Sequence, residues 1–394
     1  MSDTNEVIPF ARPFIGTEEE DAVLRVLRSG WLTTGAEALA FEREFAGFLK
    51  APPVSQTGDI HCLAVNSATS GLHLALEACG VGQGDTVLVP SYTFTSTAEV
   101  TRYLGADPVF VDVAPGTFHI DPDALEQTIK RLPKKPKAVI PVHYGGLFCD
   151  MAAIMDIAQR YGLKVIEDAA HAFPPATNGI TGDIGVFSFY ATKTITTGEG
   201  GMVVCRDKEI ANRVSIMRSH GIDRVVWNRY TDTKASWYYE VVEAGYKYNL
   251  PDLLAVVGRV QLSRAWELLR MRREIAAAYD AAFGGNESLI LPPTGPGDAR
   301  HLYPLRLNPD TIKISRDSFI GKLKEAGVGT SVHFIPLHTM PYYKKRYGLA
   351  EDNFPETMKS FRQEISLPIW PGMSAVHINR VIEVVKSIAA EYTD

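Results

Sequence analysis

The chain reads as an α/β protein: a large domain on a mainly parallel seven-stranded sheet, then a smaller α+β C-terminal domain. Three observations predict this. From residue 61 to about residue 218, short apolar runs alternate with segments of helical periodicity. The runs are continuously apolar rather than alternating, so both faces of each strand need cover, as in a parallel sheet flanked by helices. A turn-rich stretch, Gly284-Gly285-Asn286 through Pro292-Pro293-Thr294-Gly295-Pro296-Gly297, then separates this pattern from a different one. With 394 residues there is chain enough for two cores. The expected division is 1–250 for the large domain with its N-terminal segment, 251–285 for a long connecting helix, and 286–394 for the small domain.

In chain order, Thr17-Glu18-Glu19-Glu20 reads as a capping box opening a helix with Ala22, Val23, Val26 and Leu27 on one face; Gly30 closes it. Phe41, Phe45, Phe48 and Leu49 mark a second helical stripe. The seven expected strands are Cys62–Val65, Thr86–Val89, Pro108–Val113, Ala138–Val142, Lys164–Ile166, Val186–Phe189 and Met202–Cys205. Helices are expected at 69–79, 122–131, 151–160 and 207–218. Pro251 opens a long helix running to about Phe283. Beyond the connector come a strand over Leu302–Leu307, a helix from Ser315 and a strand over Thr330–Phe334. A C-terminal amphipathic helix from Ser374 follows, lined by Ile378, Val381, Ile382 and Val385.

Composition excludes several function classes. A net charge of −6 gives no basic footprint for nucleic acid or an anionic membrane. The one dense basic run, Lys130-Arg131-Leu132-Pro133-Lys134-Lys135-Pro136-Lys137, contains prolines and reads as a solvated loop. No apolar stretch approaches the roughly 20 residues that span a bilayer, and Met1 to Glu6 are polar, unlike a secretory leader. Cys62, Cys79, Cys149 and Cys205 lack metal spacing and sit in or beside apolar runs, as reduced thiols of a cytoplasmic protein do. His333 and His338 have a proline between them and no nearby carboxylate cluster, so no metal is expected. No G-x-S-x-G elbow supports a hydrolase.

The chemistry concentrates in Glu167-Asp168-Ala169-Ala170-His171, in Lys193 after Ser188-Phe189-Tyr190-Ala191-Thr192, and in Thr197-Gly198-Glu199-Gly200-Gly201. A lysine at a strand end beside small residues can reach into a cleft, where desolvation frees its amine. Asp168 at the end of an apolar run can meet a protonated ring nitrogen. Ser67-Ala68-Thr69-Ser70-Gly71 lies between a strand and a helix, where free amides and hydroxyls suit a phosphate dianion. An amine for an aldehyde, an anion for a pyridine nitrogen and donors for a phosphate are what pyridoxal 5'-phosphate requires. Each residue alone has an ordinary alternative. Lys193 can be a solvated lysine, Asp168 a helix cap and His171 a structural histidine. Ser67 and Thr69 can be simple caps, Ser188 a buried strand serine, and Phe94 a core aromatic rather than a ring stacker. The ordered set is what points to the cofactor.

These motifs make the chain resemble the DegT/StrS family of sugar aminotransferases. The likeness runs from Ser29-Gly30-Trp31-Leu32-Thr33-Thr34-Gly35 to Leu367-Pro368. It includes Asn66-Ser67-Ala68-Thr69, Pro141-Val142-His143-Tyr144-Gly145-Gly146, the Asp168 and Lys193 segments, and Val332-His333-Phe334 with His338 and Tyr342-Tyr343. Within the family, Ile8-Pro9-Phe10-Ala11-Arg12-Pro13 and Gly245-Tyr246-Lys247-Tyr248-Asn249-Leu250 look most like UDP-4-amino-4-deoxy-L-arabinose–oxoglutarate aminotransferases. The resemblance implies the aspartate-aminotransferase (type I) fold, a homodimer with shared active sites, and a role in amino-sugar biosynthesis for lipopolysaccharide or another polysaccharide. It implies transfer of nitrogen from L-glutamate, leaving 2-oxoglutarate, to a keto sugar nucleotide at carbon 4 of a UDP-linked sugar. By motif, Lys193 carries the covalent link to the cofactor and Asp168 the salt bridge to its ring. Ala68, Thr69 and Ser188 hold the phosphate, Phe94 and His171 flank the ring, and Lys247 reaches the phosphate of the partner subunit. Thr33, Thr34, His333 and His338 are expected at the substrate.

The chain also departs from the family pattern. Ala36 replaces the proline usual after Thr-Thr-Gly, Pro52–Asp59 reads as an added loop, and Trp227–Tyr239 is aromatic in its own way. Alternative acceptors are 3-keto or dTDP-linked sugars. A non-catalytic regulatory protein on the same fold is the rival from another class. The family's sugar 3-dehydratases carry histidine in place of the lysine, which Lys193 argues against.

Overall fold

The computed structural model describes residues 7–175, 179–223 and 238–393. Of the aromatic stretch at 227–239, only Tyr238 and Tyr239 lie inside these ranges, and both are exposed.

The large sheet contains β1 (His61–Val65), β2 (Thr86–Pro90), β3 (Asp107–Val111), β4 (Ala138–Val139), β5 (Lys164–Asp168), β6 (Ile184–Ser188) and β7 (Gly201–Cys205). Their order is β1-β7-β6-β5-β4-β2-β3. Only β7 runs against its neighbours; the pairs from β6 through β3 are parallel. The continuous apolar runs follow from cover on both faces. One face packs Leu72, Leu76, Val100, Val186, Val203 and Val214. The other packs Phe41, Phe45, Phe187, Phe189 and Met202 near β6 and β7, and Leu125, Ile129, Ile154 and Val165 near β4 and β5. Each such side chain, fully buried, contributes about 1.5–3 kcal/mol. Strand β4 is shorter than expected because Pro141 offers no N–H to the ladder. Pairing survives on either side of it, through Ile140 N–H to the Leu88 carbonyl and Asp168 N–H to the Pro141 carbonyl.

Helices α1 (Thr17–Ser29) and α2 (Ala36–Lys50) precede the sheet. Thr17 lies inside α1 rather than capping it. Gly16 is the cap, and Glu19 reaches back to accept the Gly16 N–H at 2.8 Å. Ala22 and Val26 are buried against Val256, whereas Leu27 is exposed. The remaining helices of the sheet region are α3 (Ala68–Ala78), α4 (Ser96–Tyr103), α5 (Pro122–Arg131), α6 (Met151–Tyr161) and α7 (Lys208–Met217). Gly71 lets α3 lie close to the sheet, since a Cβ there would meet Val186 Cγ1 at 2.7 Å. Residues 52–59 form a mostly exposed loop anchored at two points: Val54 is buried, and the Gln56 amide pairs with both backbone groups of Ile180.

The long helix expected from Pro251 to Phe283 is two, α8 (Asp252–Ser263) and α9 (Ala265–Phe283). They break at Arg264, whose N–H turns to the Gln261 carbonyl. No glycine or proline signals this break. The Asp252 carboxylate caps α2 from 217 residues away, accepting from Gly35 N–H at 2.7 Å, Ala38 N–H at 3.0 Å and Glu37 N–H at 3.2 Å. Gly35 has no side chain to do so itself.

The second sheet has β8 (Leu289–Ile290), β9 (Tyr303–Leu307) and β10 (Glu364–Leu367) in the order β10-β9-β8, all antiparallel. Helices α10 (Arg316–Glu325), α11 (Pro341–Tyr347), α12 (Pro355–Gln363) and α13 (Ala375–Tyr392) complete this part. Tyr279, Phe283, Leu305, Phe319, Ile365, Val381 and Val385 form its core, with Ile8 from the N-terminal segment. The expected strand at Thr330–Phe334 is absent. Only Ser331 bridges to Ser366, and β10 takes the sheet position instead.

Candidate active site

Asp168 ends β5 and Ser188 ends β6, while Ser67 caps α3 just beyond β1. Parallel strands present ligands at their carboxyl ends, so these three segments open onto one place. Gly201 brings them together: a Cβ there would meet Ser67 C and Ala68 N at 2.8 Å. A cavity of about 420 Å³ forms at that point, lined by Ala68, Thr69, Phe94, Asp168, His171, Ser188, Lys193 and His333 among others. Eight of the twelve residues singled out from the sequence therefore meet.

Each has its own supports. The Ser67 hydroxyl accepts the Ser70 N–H at 3.1 Å, leaving the Ala68 and Thr69 amides of the first turn without an acceptor inside the helix. Asp168 is buried; its Oδ2 accepts the Thr97 hydroxyl at 2.8 Å and its Oδ1 the Ala170 N–H at 3.2 Å. Burial raises its pKa, and Thr97, Ala170, Lys193 and His143 pull the other way. The strand residue before it, Glu167, is anchored by His143 at 2.8 Å and by the Thr181 and Gly182 amides. Lys193 has its pKa lowered to about 7, first by desolvation and then by the Arg272 charge, with Asp168 opposing. His171 accepts the Gly145 N–H at Nδ1, 3.2 Å away. Burial, with Lys193 nearby, keeps its ring neutral by holding its pKa well below the usual value. The proton of that neutral ring therefore sits on Nε2.

Four expected residues lie elsewhere. His338 is buried, bonded through Nδ1 to the Ser91 hydroxyl at 2.5 Å, with its ring against Phe354. The short turn Leu337–Thr339 points it inward, so it does not reach the cavity as a substrate contact should. Thr34 gives its hydroxyl proton to the Leu250 carbonyl and accepts from Asn249, away from the cavity. Thr33 and Lys247 are exposed and outside the cavity of their own chain.

The sequence reading also passed over residues that the fold brings in. Thr97 stands four after Thr93 at the start of α4 and links it to Asp168, with the two hydroxyls 2.8 Å apart. The His301 ring lies 4.5 Å from that of His171, tilted by 45°. Phe334 contacts both Phe94 and His171. Arg272, fully buried, donates to the carbonyls of Thr192, His301 and Ile369 and so ties the Lys193 turn to the C-terminal part. The Thr93–Thr97 spacing was the only local signal among these.

Residues 13–386 match the model of the DegT/DnrJ/EryC1/StrS aminotransferase family. The chain belongs to this family. It is 43% identical over 392 residues to the spore coat polysaccharide biosynthesis protein SpsC of Bacillus subtilis, covering 98% of this chain and 97% of that one. Among solved structures it is similar to Spr1654 of Streptococcus pneumoniae in its PMP form, with a TM-score of 0.88 and 30% identity over 98% and 99% of the two chains. It is also similar to Helicobacter pylori PseC, an aminotransferase of pseudoaminic acid biosynthesis, with a TM-score of 0.87 and 26% identity over 98% and 100%. The protein is thus a pyridoxal phosphate-dependent sugar aminotransferase with the type I fold. Among the described residues no helix is long and apolar enough to cross a membrane, and no group of three His, Cys, Asp or Glu side chains is placed to hold a metal.

Proposed function

We propose that the protein transfers the amino group of L-glutamate to a keto sugar nucleotide, at carbon 4 of a UDP-linked 4-keto sugar. The observation that carries the chemical assignment is the meeting of Lys193, Asp168 and the α3 N-terminus in one cavity. The donor set fits the cofactor: an amine with a pKa of about 7, a buried carboxylate, and first-turn amides beside the Ser188 hydroxyl. When bound, pyridoxal phosphate supplies an electron sink and a carrier for the amino group.

The chain's own residues do the rest. Lys193 Nζ would hold the cofactor and, once released from it, is matched in pKa to take a proton from a substrate carbon and return it. Asp168, fixed by Thr97 and Ala170, would orient the ring and hold a proton on its nitrogen. Ala68, Thr69 and Ser188 would bind the phosphate, and Phe94 and His171 would flank the ring. His333 is a substrate contact. Two copies of the chain share their sites: Lys247 and Thr33, exposed on one subunit, serve the cavity of the other. The 4-keto, UDP-linked assignment rests on the Gly245–Leu250 and Ile8–Pro13 motifs.

A panel of UDP- and dTDP-linked 4-keto and 3-keto sugars, with glutamate as donor, tests this reading. The UDP-4-keto sugar should be aminated fastest, with release of 2-oxoglutarate. Preference for a 3-keto sugar would contradict it.

A further inference from the structure

Beneath the cavity, His333 is joined to a buried carboxylate through one hydroxyl. His333 Nδ1 lies 2.8 Å from Ser366 Oγ, and Ser366 Oγ contacts Glu364 Oε1. The other oxygen, Glu364 Oε2, accepts the His333 backbone N–H at 3.1 Å. Glu364 and Ser366 are completely buried. His333 lines the cavity, and among the described residues its Nε2 has no hydrogen-bond partner.

The Tyr144 hydroxyl also lies beside Ser366, but its proton is given to the His333 carbonyl, so the Ser366 proton alone decides the arrangement between Glu364 and His333 and makes it directional. When Glu364 is ionised, Ser366 donates to it, so Ser366 can only accept from His333. The ring then carries its proton on Nδ1 and shows the cavity a bare Nε2 lone pair. When Glu364 takes up one proton, its O–H donates to Ser366 and the hydroxyl turns to donate to Nδ1. The ring proton then sits on Nε2. One proton is gained overall, and the ring proton changes nitrogen by exchange with solvent in the cavity.

We propose that Glu364 and Ser366 are positioning residues that set the tautomer of His333, and so decide whether it accepts a hydrogen bond from a ligand hydroxyl or donates one. The proposal rests on the reading of His333 as a substrate contact only for its consequence, not for the relay itself. Burial pushes Glu364 up to about 8, against Ser366, the His333 N–H and Arg316, so both states fall within working pH. The ionisable groups around it are Tyr92 and Tyr144, both buried, and Arg316, whose Nη1 donates to the Glu364 backbone carbonyl. Arg306 is the residue paired with Glu364 on the neighbouring strand β9, and its charge acts on both tyrosines. Tyr144 donates its hydroxyl to the His333 carbonyl, which fixes the backbone of the histidine. His333 itself is held neutral, its pKa lowered to about 4 by burial and by Lys193.

Glu364→Gln tests the relay. The His333 N–H must still be accepted, which places the amide oxygen there and the amide NH2 against Ser366. Ser366 then donates to Nδ1 at every pH. Protein labelled with 15N-histidine, with the His333 signal assigned by its loss in His333→Gln, reports which ring nitrogen carries the proton. On the alkaline side of Glu364's pKa of about 8, wild type should show Nδ1–H and Glu364→Gln should show Nε2–H. The same tautomer in both would overturn the proposal. If that variant does not fold, Ser366→Ala severs the relay and should abolish any tautomer change across this pH; a change that persists would overturn it. Separately, His333→Gln should raise KM for the keto sugar nucleotide about tenfold, the worth of one well-placed hydrogen bond. An unchanged KM would strike the substrate-contact reading and leave the tautomer result standing.

Discussion

Asp168→Asn removes one charge while keeping the shape of the site. The remaining oxygen can still accept the Ala170 N–H, and the new NH2 replaces Oδ2 against Thr97. Thr97 then turns its proton toward Thr93 Oγ1, which is 2.8 Å away, so no buried polar group loses its partner. What is lost is the anion that would face the ring nitrogen of the cofactor. Removing one member of a buried charged pair costs about 3–5 kcal/mol. At about 1.4 kcal/mol per factor of ten, kcat/KM should fall by roughly two to three and a half orders of magnitude. Cofactor should be retained, because Lys193 and the phosphate donors are untouched. The assay is stopped-flow bleaching of the cofactor absorbance on mixing with glutamate. Turnover within about threefold of wild type, with cofactor bound, would remove Asp168 from the chemistry.

Three other predictions follow from particular contacts. In the apoprotein, the depressed pKa of Lys193 means that its neutral amine prevails above about pH 7. The rate of cofactor recapture should therefore rise through pH 7 and then level, and Asp168→Asn should shift the midpoint lower by removing the anion that opposes the depression. A rate that keeps climbing toward the pKa of an ordinary lysine would contradict the burial argument. Mixing Lys193→Ala with Lys247→Ala should recover activity that neither variant shows alone, if two subunits share each site; an active, strictly monomeric enzyme would rule this out. Asp252→Ala strips the acceptor from three amides at the start of α2 and should destabilise the protein by about 1–3 kcal/mol in urea titration. An unchanged midpoint would show that water replaces the carboxylate without loss.

Much of the large sheet was legible because burial on both faces writes itself as unbroken apolar runs, as in Val186–Phe189 and Met202–Cys205. Asp168 and the Ser67–Gly71 turn were legible because they sit at strand ends, and Lys193 because it lies in the turn just beyond one, where chemistry and turn composition coincide. What escaped depends on distant partners. The break at Arg264 has no local breaker, and Gln261 just before it is drawn to Glu19 and the Phe14 carbonyl. The strand at Glu364–Leu367 begins with a carboxylate and holds a serine, both buried and both bonded to His333, which lies outside the strand. His301 reaches His171 only after the chain has crossed the connector at 284–297, and no spacing in the sequence encodes that approach. His338 failed as a site residue for the converse reason: its motif was visible, but a three-residue turn aims the ring into the core.

The central claim is that Lys193 is the amine that binds pyridoxal phosphate in the cavity between Asp168 and the α3 N-terminus. Reduction of the purified yellow holoenzyme with borohydride, followed by peptide mapping, tests it most directly. A single phosphopyridoxyl adduct is expected on Lys193, absent when glutamate has first bleached the enzyme. An adduct on any other lysine, or none in a protein that turns over glutamate and a keto sugar nucleotide, would contradict it.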